Sequence, residues 1–235
     1  MAALNVQGVD ALDAWRCGVA AVLAEGEIFD LFTTIEQPAI FDEKWLVQHC
    51  PHHCGFGGDD LRDVIQTIFP YGLARRCASR PELYSTYLQR HDRAMKYSRN
   101  RSKWGTYFER LIRFPDSRNT NQLERVIEKL TRWQRTSRTG LVFHLSTPAR
   151  DAPRTRGGPC WHFGEIIWHP DDRLDLVAVY RNHDFFNKAL GNFVALGQLL
   201  QFICDASGKT IGKLRCHSVH AYNGGNATDL RTLSA

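Results

Sequence analysis

LGNFVALGQLLQFICDA, residues Leu190 to Ala206, is apolar on nearly every side of a helical projection. A helix with no polar face has to be enclosed. β-rich runs bracket it, Leu174 to Arg181 before and Lys209 to Tyr222 after, so the helix is expected to lie buried against a sheet. Gly140 to Thr147 and Trp161 to Trp168 read as further strands, with HPDD (His169 to Asp172) as a hairpin turn. Upstream, Asn119 or Thr120 opens the clearest amphipathic helix. Leu123, Val126, Ile127, Leu130 and Trp133 share one face there, opposite Glu124, Arg125, Glu128 and Lys129. The N-terminal half reads as a helix from Asp10 to Ala24, a strand from Ile28 to Ile35, a short helix capped by Asp59 or Asp60 and reaching Phe69, and an arginine-rich helix from Arg80 to Arg101. The expected fold class is α+β: a long buried central helix packed on a mixed, mostly antiparallel sheet, in one domain spanning residues 1–235.

Composition narrows the function classes. With 235 residues, 43% hydrophobic and 23% charged, the chain has material for one large core. Nothing approaches the roughly 20 consecutive apolar residues of a membrane span, and the N-terminus has no basic segment leading an apolar run, so a cytoplasmic location is expected. Seven cysteines at irregular spacing read as free thiols, not as a secreted disulfide framework. The net charge of +5 is modest and the arginines are spread along the chain, which suits a small anionic ligand and does not call for nucleic acid or a membrane surface.

Pro159-Cys160-Trp161-His162 stands where a basic loop (Arg150, Arg154, Arg156, Gly157, Gly158) enters a strand. Guanidinium groups there would favour the thiolate of Cys160. Alone, this cysteine reads more simply as a buried structural thiol. Downstream come Tyr180-Arg181-Asn182-His183-Asp184, then Leu190-Gly191-Asn192-Phe193, and later His220-Ala221-Tyr222. HCPHHC, with His49, Cys50, His52, His53 and Cys54, offers metal-binding residue types at a spacing that fits no zinc pattern, so it reads as a loop with incidental histidines and no metal site is expected.

These motifs, in this order, resemble thymidylate synthase and its relatives, the pyrimidine nucleotide hydroxymethylases. That family follows a Pro-Cys pair with a strand ending in Arg-Ser-x-Asp, an Asn opening the buried helix, and a terminal His-x-Tyr strand. The interval from Asp184 to Asn192 (192 − 184 = 8) matches the family's. Thr136-Ser137-Arg138 resembles its Asp-Ser-Arg-Arg segment, with Thr139 in place of the second arginine, and Trp104-Gly105-Thr106-Tyr107-Phe108 resembles its Tyr-Gly loop. The likeness is strongest over residues 122–222.

The resemblance implies a divergent, compact transferase that adds a methyl or hydroxymethyl group to C5 of a pyrimidine nucleoside monophosphate. Cys160 would add to C6, with Tyr107 and His162 as its catalytic neighbours. Arg138 and Arg181 would hold the phosphate, Arg138 reaching into a second subunit's site, which implies a homodimer with a sheet-to-sheet interface. Asn182 would replace a phosphate-binding serine, and Asp184 would lie against the pteridine of a methylenetetrahydrofolate cofactor. Asn192 would read the base, favouring uridylate over cytidylate, and His220 and Tyr222, alternating on one strand, would bind the sugar, ribose or deoxyribose. The family's helical glutamate has no counterpart in Leu61 to Phe69, which offers Asp63 and Gln66, and its C-terminal lid is represented only by Asn223 to Ala235. An open lid favours hydroxymethylation, which admits water. The alternative is a nucleotide-binding or regulatory homologue without turnover that needs a partner protein.

Overall fold

The computed structural model describes residues 3–41, 61–97, 104–132, 138–153 and 157–234. Its central element is the helix α8, Ala189–Ser207, which buries thirteen residues from Ala189 to Cys204. Gly208 stops it in the left-handed conformation, at φ 68°. By length and composition α8 could cross a membrane, yet 72% of its apolar window is buried inside the fold. Each fully enclosed Leu or Phe on it contributes about 1.5–3 kcal/mol. Gly197 is required by a close approach: a Cβ there would sit 1.8 Å from the carbonyl oxygen of Pro38.

α8 packs on a seven-stranded mixed sheet made of β1 (Leu4–Gly8), β2 (Glu27–Ile35), β3 (Val142–His144), β4 (Trp161–Trp168), β5 (Arg173–Tyr180), β6 (His183–Asp184) and β7 (Thr210–Tyr222). The order is β1-β2-β7-β5-β4-β3, with β6 also paired to β7. β1/β2, β5/β7 and β6/β7 are parallel; β2/β7, β4/β5 and β3/β4 are antiparallel. The sheet is therefore evenly mixed, where mostly antiparallel pairing was expected, because α8 carries the chain from β5 back to a parallel neighbour.

The remaining helices are α1 (Ala11–Glu25), α2 (Leu61–Ile68), α3 (Tyr71–Ala74), α4 (Arg80–Tyr97), α5 (Tyr107–Ile112), α6 (Gln122–Arg132), α7 (Pro148–Asp151) and α9 (Ala227–Ser234). α1 starts as its sequence requires, with the Asp10 carboxylate accepting from Asp13 N–H, and buries Ala14, Trp15, Gly18, Val19 and Val22. α6 buries Leu123, Val126, Ile127 and Leu130 as its periodicity demands, but its start is capped by Asn121, whose Oδ1 accepts from Glu124 N–H at 2.9 Å. Thr120 is unavailable because Asp116 holds both its N–H and its hydroxyl. The strand expected over Gly140 to Thr147 is shortened to β3, since Thr147 turns to cap α7. The Trp104 to Phe108 segment is not all loop: Thr106 caps α5 there. β1, β6 and α9 were not anticipated. Trp133, Thr136, Ser137, Arg154, Arg156 and the His49–Cys54 cluster lie outside the described residues. Among the described residues no group of His, Cys, Asp and Glu could hold a metal ion.

Along β7, Gly212, Leu214, Cys216 and Ser218 are buried, whereas Lys213, Arg215 and His217 are not, so one face of the sheet is packed and the other open. On β2 and β7 the alternation then slips in step. Asp30 adopts φ 61°, and the buried positions pass from Leu31 to Ile28 and from Ser218 to Ala221. The slip keeps Ala221 inward and turns His220 and Tyr222 to the less buried side.

Candidate active site at the end of the sheet

β4 begins at Trp161 opposite Tyr180, the last residue of β5, so Cys160 and Arg181 are neighbours across the sheet end. Arg181 N–H donates to the Cys160 carbonyl at 2.9 Å. The preceding loop turns through Gly157 and Gly158, both at positive φ. The Arg181 guanidinium straps that loop, with Nε donating to Pro159 O (3.1 Å) and Nη2 to Gly157 O (2.9 Å). Arg181 remains exposed, with Nη1 free of intramolecular bonds among the described residues. His162 Nε2 donates to Pro159 O at 3.1 Å, and burial, followed by Arg181, holds its imidazole below the usual histidine range.

Tyr107, at the start of α5, is 8% exposed and receives two amides on its hydroxyl oxygen, Cys160 N–H at 2.9 Å and Trp161 N–H at 3.3 Å. Burial pushes its pKa up, so the phenol stays protonated. Its oxygen is engaged as an acceptor and its own proton is left to donate. Cys160 is half-buried. Burial raises its pKa, and Asp184 adds to that, while Arg181 and Lys188 favour the thiolate. Among the described residues the guanidinium assistance comes from Arg181, and desolvation is the larger effect. Alkylation of Cys160 by iodoacetamide, followed by peptide mass spectrometry, is therefore expected to have a pH midpoint above the roughly 8.5 of an exposed thiol. Arg181→Ala should shift that midpoint further up. A midpoint below that of an exposed thiol would show this electrostatic account to be wrong.

β6 brings the other expected residues alongside. His183 and Asp184 pair with Ala221 and Tyr222. His220 Nδ1 lies 2.7 Å from Asn182 Oδ1, its Nε2 donates to Glu27 Oε2 at 2.9 Å, and its ring stacks on Tyr222. Tyr222 also hydrogen-bonds Asn182, so Asn182 joins the two aromatic side chains and is not left open to a phosphate. Asp184 organises the turn into α8: Oδ1 accepts from Phe186, Asn187 and Gly224 N–H, and Oδ2 from Asn187 Nδ2. Asn192, in the first turn of α8, is 5% exposed, and its Nδ2 lies 3.1 Å from His183 Nε2.

Arg138 stands apart. Its guanidinium covers the Trp168 ring at 5.1 Å, at the far end of β4, roughly 26 Å along the strand from Cys160. Its Nη1 is enclosed without a hydrogen-bond partner among the described residues. One chain thus gathers Cys160, Tyr107, His162, Arg181, Asn182, Asp184, Asn192, His220 and Tyr222, and leaves Arg138 out. Sequence reasoning missed His183, Ser218, Lys188 and Glu27. A cavity of about 810 Å³ lies between α2, α3, α4 and α8, lined among others by Asp63, Gln66, Arg76 and Gln198, and none of the Cys160 cluster borders it.

No family model matches the chain. Over 117 residues it is 30% identical to a protein of Methanococcoides burtonii named "Putative thymidylate synthase", an alignment covering 50% of this chain and 51% of that protein. The chain spans about half the length of this curated relative. The likeness lends partial support to a thymidylate synthase-like reading.

Proposed function

We propose that the chain is a thymidylate synthase-like transferase that activates C5 of a pyrimidine nucleoside monophosphate through a covalent adduct of Cys160 at C6. The observation that carries this reading is the meeting, at one sheet end, of a thiol, a guanidinium, a buried amide and a His/Tyr pair drawn from positions 160, 181, 192, 220 and 222.

C5 of uracil or cytosine is a poor nucleophile. When the Cys160 thiolate bonds to C6, the C5–C6 π pair moves toward C4 and makes C5 nucleophilic. C5 then bonds to an electrophile, the original C5 proton leaves to base, and the C6–S bond breaks to restore the ring. Arg181 holds the phosphate through its free Nη1 donors, the Tyr107 hydroxyl moves a proton beside the sulfur, His220 and Tyr222 face the sugar, and Asn192 reads the base. Arg138 comes from a second copy docked on the open face of the sheet, where Phe32 and Ile167 are 39% and 37% exposed. Asp184 orders the site from beneath.

Methylenetetrahydrofolate would supply the electrophilic carbon. The described residues fit it poorly: Asp184 is committed to its own turn, and Asp63 and Gln66 line a separate cavity. The same observation favours a second reading, a nucleotide-binding homologue that has lost turnover.

The test uses uridylates and cytidylates tritiated at C5, with and without methylenetetrahydrofolate. Tritium release, fastest from a uridylate, is expected, and product mass separates methyl from hydroxymethyl. Nucleotide binding without release from any of them would leave the second reading standing.

A further inference from the structure

His183 has no place in that mechanism, yet it is a buried polar side chain held on every side. It is 1% exposed and stacks on Tyr180 at 4.2 Å and 4°. The Phe193 ring meets it edge-on at 5.5 Å and Phe185 lies against it at 5.3 Å, so the imidazole cannot turn. Its Nδ1 lies 2.8 Å from Ser218 Oγ and its Nε2 3.1 Å from Asn192 Nδ2. Burial lowers its pKa to about 3, so it is neutral at any working pH and carries one N–H.

The proton can be placed by following the chain of bonds. Ser218 is fully buried, and its hydroxyl also hydrogen-bonds the Cys216 thiol. Asn192 presents Nδ2, a donor, to His183 Nε2, so Nε2 accepts and the single N–H sits on Nδ1, where Ser218 Oγ accepts it; the Cys216 sulfur lies 4.0 Å from the same nitrogen. The other N–H and Oδ1 of Asn192 have no partner among the described residues.

We propose that Ser218 and His183 form a buried relay that fixes the orientation of the Asn192 amide and thereby selects uracil over cytosine. The proposal deepens the reading above and rests on it. Of the two N–H bonds of an amide one lies beside the oxygen and the other points away from it; with the outer one given to His183, the inner one and Oδ1 form an edge turned away from the imidazole. An acceptor beside a donor matches the N3–H and O4 of uracil. Cytosine presents a lone pair at N3 and an amino group at C4, and pairing with it requires the amide to turn over. Oδ1 would then face the His183 lone pair, acceptor against acceptor, unless the imidazole changed tautomer and Ser218 reversed its hydroxyl. Asn192 alone can turn either way; the relay removes that freedom. His183 and Ser218 act through Asn192 and are positioning residues.

Calorimetric Kd values for uridine, deoxyuridine, cytidine and deoxycytidine 5′-monophosphates test this in the wild type, His183→Gln and Ser218→Ala. The wild type should prefer uracil by at least roughly tenfold, the size of one mismatched buried hydrogen bond. Both variants should bring the preference below about threefold, by gaining cytidylate affinity relative to uridylate. A merely structural role would weaken both bases in parallel. Should His183→Gln not fold, Ser218→Ala, which removes one oxygen, carries the comparison. Nitrogen-15 spectra of the histidines in the nucleotide-free wild type must show His183 protonated at Nδ1, and protonation at Nε2 overturns the relay. Equal binding of both bases by the wild type, or variants that keep the parent ratio, overturns the selection alone. A wild type that binds no pyrimidine nucleotide overturns the functional reading together with it.

Discussion

Cys160→Ala is expected to lower tritium release from C5 by at least roughly 10³-fold, because the Cys160 sulfur is the atom that bonds to C6. The substitution is also clean. The Cys160 backbone is held from both sides, its N–H by Tyr107 Oη and its carbonyl by Arg181 N–H, and neither bond involves the sulfur. The loop should therefore stay in place, with a stability change within about 1 kcal/mol. Uridylate Kd is expected to change less than threefold, so loss of turnover with retained binding separates chemistry from recognition. If the alanine variant releases tritium at the parent rate, the adduct mechanism is wrong whatever the nucleotide affinity.

Arg110→Leu is the substitution expected to damage the fold most. The Arg110 side chain is 1% exposed and all five of its N–H groups are used. Nη1 donates to Asp151 Oδ2 (2.6 Å) and Leu145 O (2.7 Å), Nη2 to Asp151 Oδ1 (3.0 Å) and Trp104 O (2.9 Å), and Nε to Trp104 O (3.1 Å). A leucine fills part of the volume but removes both Arg110 bonds from the Asp151 carboxylate, 9% exposed, and strands two carbonyl groups. Breaking a buried pair from one side costs about 3–5 kcal/mol. For a chain of this length that is a fall in Tm of roughly 6–20 °C. Urea unfolding should show a lower midpoint at unchanged slope. A loss under 1 kcal/mol would mean that Asp151 finds water once the arginine is gone.

The elements legible in the sequence were those whose burial is set by their own periodicity. α8 has apolar residues all round and α6 has them on one face, and both form where read. β1 is five residues, mostly exposed, and pairs only at the sheet edge, so nothing in its pattern marks it as a strand. At the start of α6 three capping residues stand in a row, and only the contacts of Asp116 decide among them. The site divides in the same way. Cys160, Arg181, Asn192, His220 and Tyr222 were singled out by the order and spacing of motifs that resemble thymidylate synthase, and the sheet and α8 carry them toward one end. Glu27 was missed because its partner His220 is 193 residues away, a pairing made by β2/β7 register alone. His183 was passed over because a histidine inside a strand-end motif gives no sign of the aromatic box that will enclose it.

The lack of any water-loving side on α8 also bears on how long the folded molecule lasts. An element that could be released into solvent without penalty would let the protein open and reclose reversibly. Once loosened, α8 offers thirteen normally hidden residues to whatever lies nearest. Reclosure then competes with association between molecules, and the useful lifetime of a preparation is governed by how often the chain opens as well as by the free-energy gap.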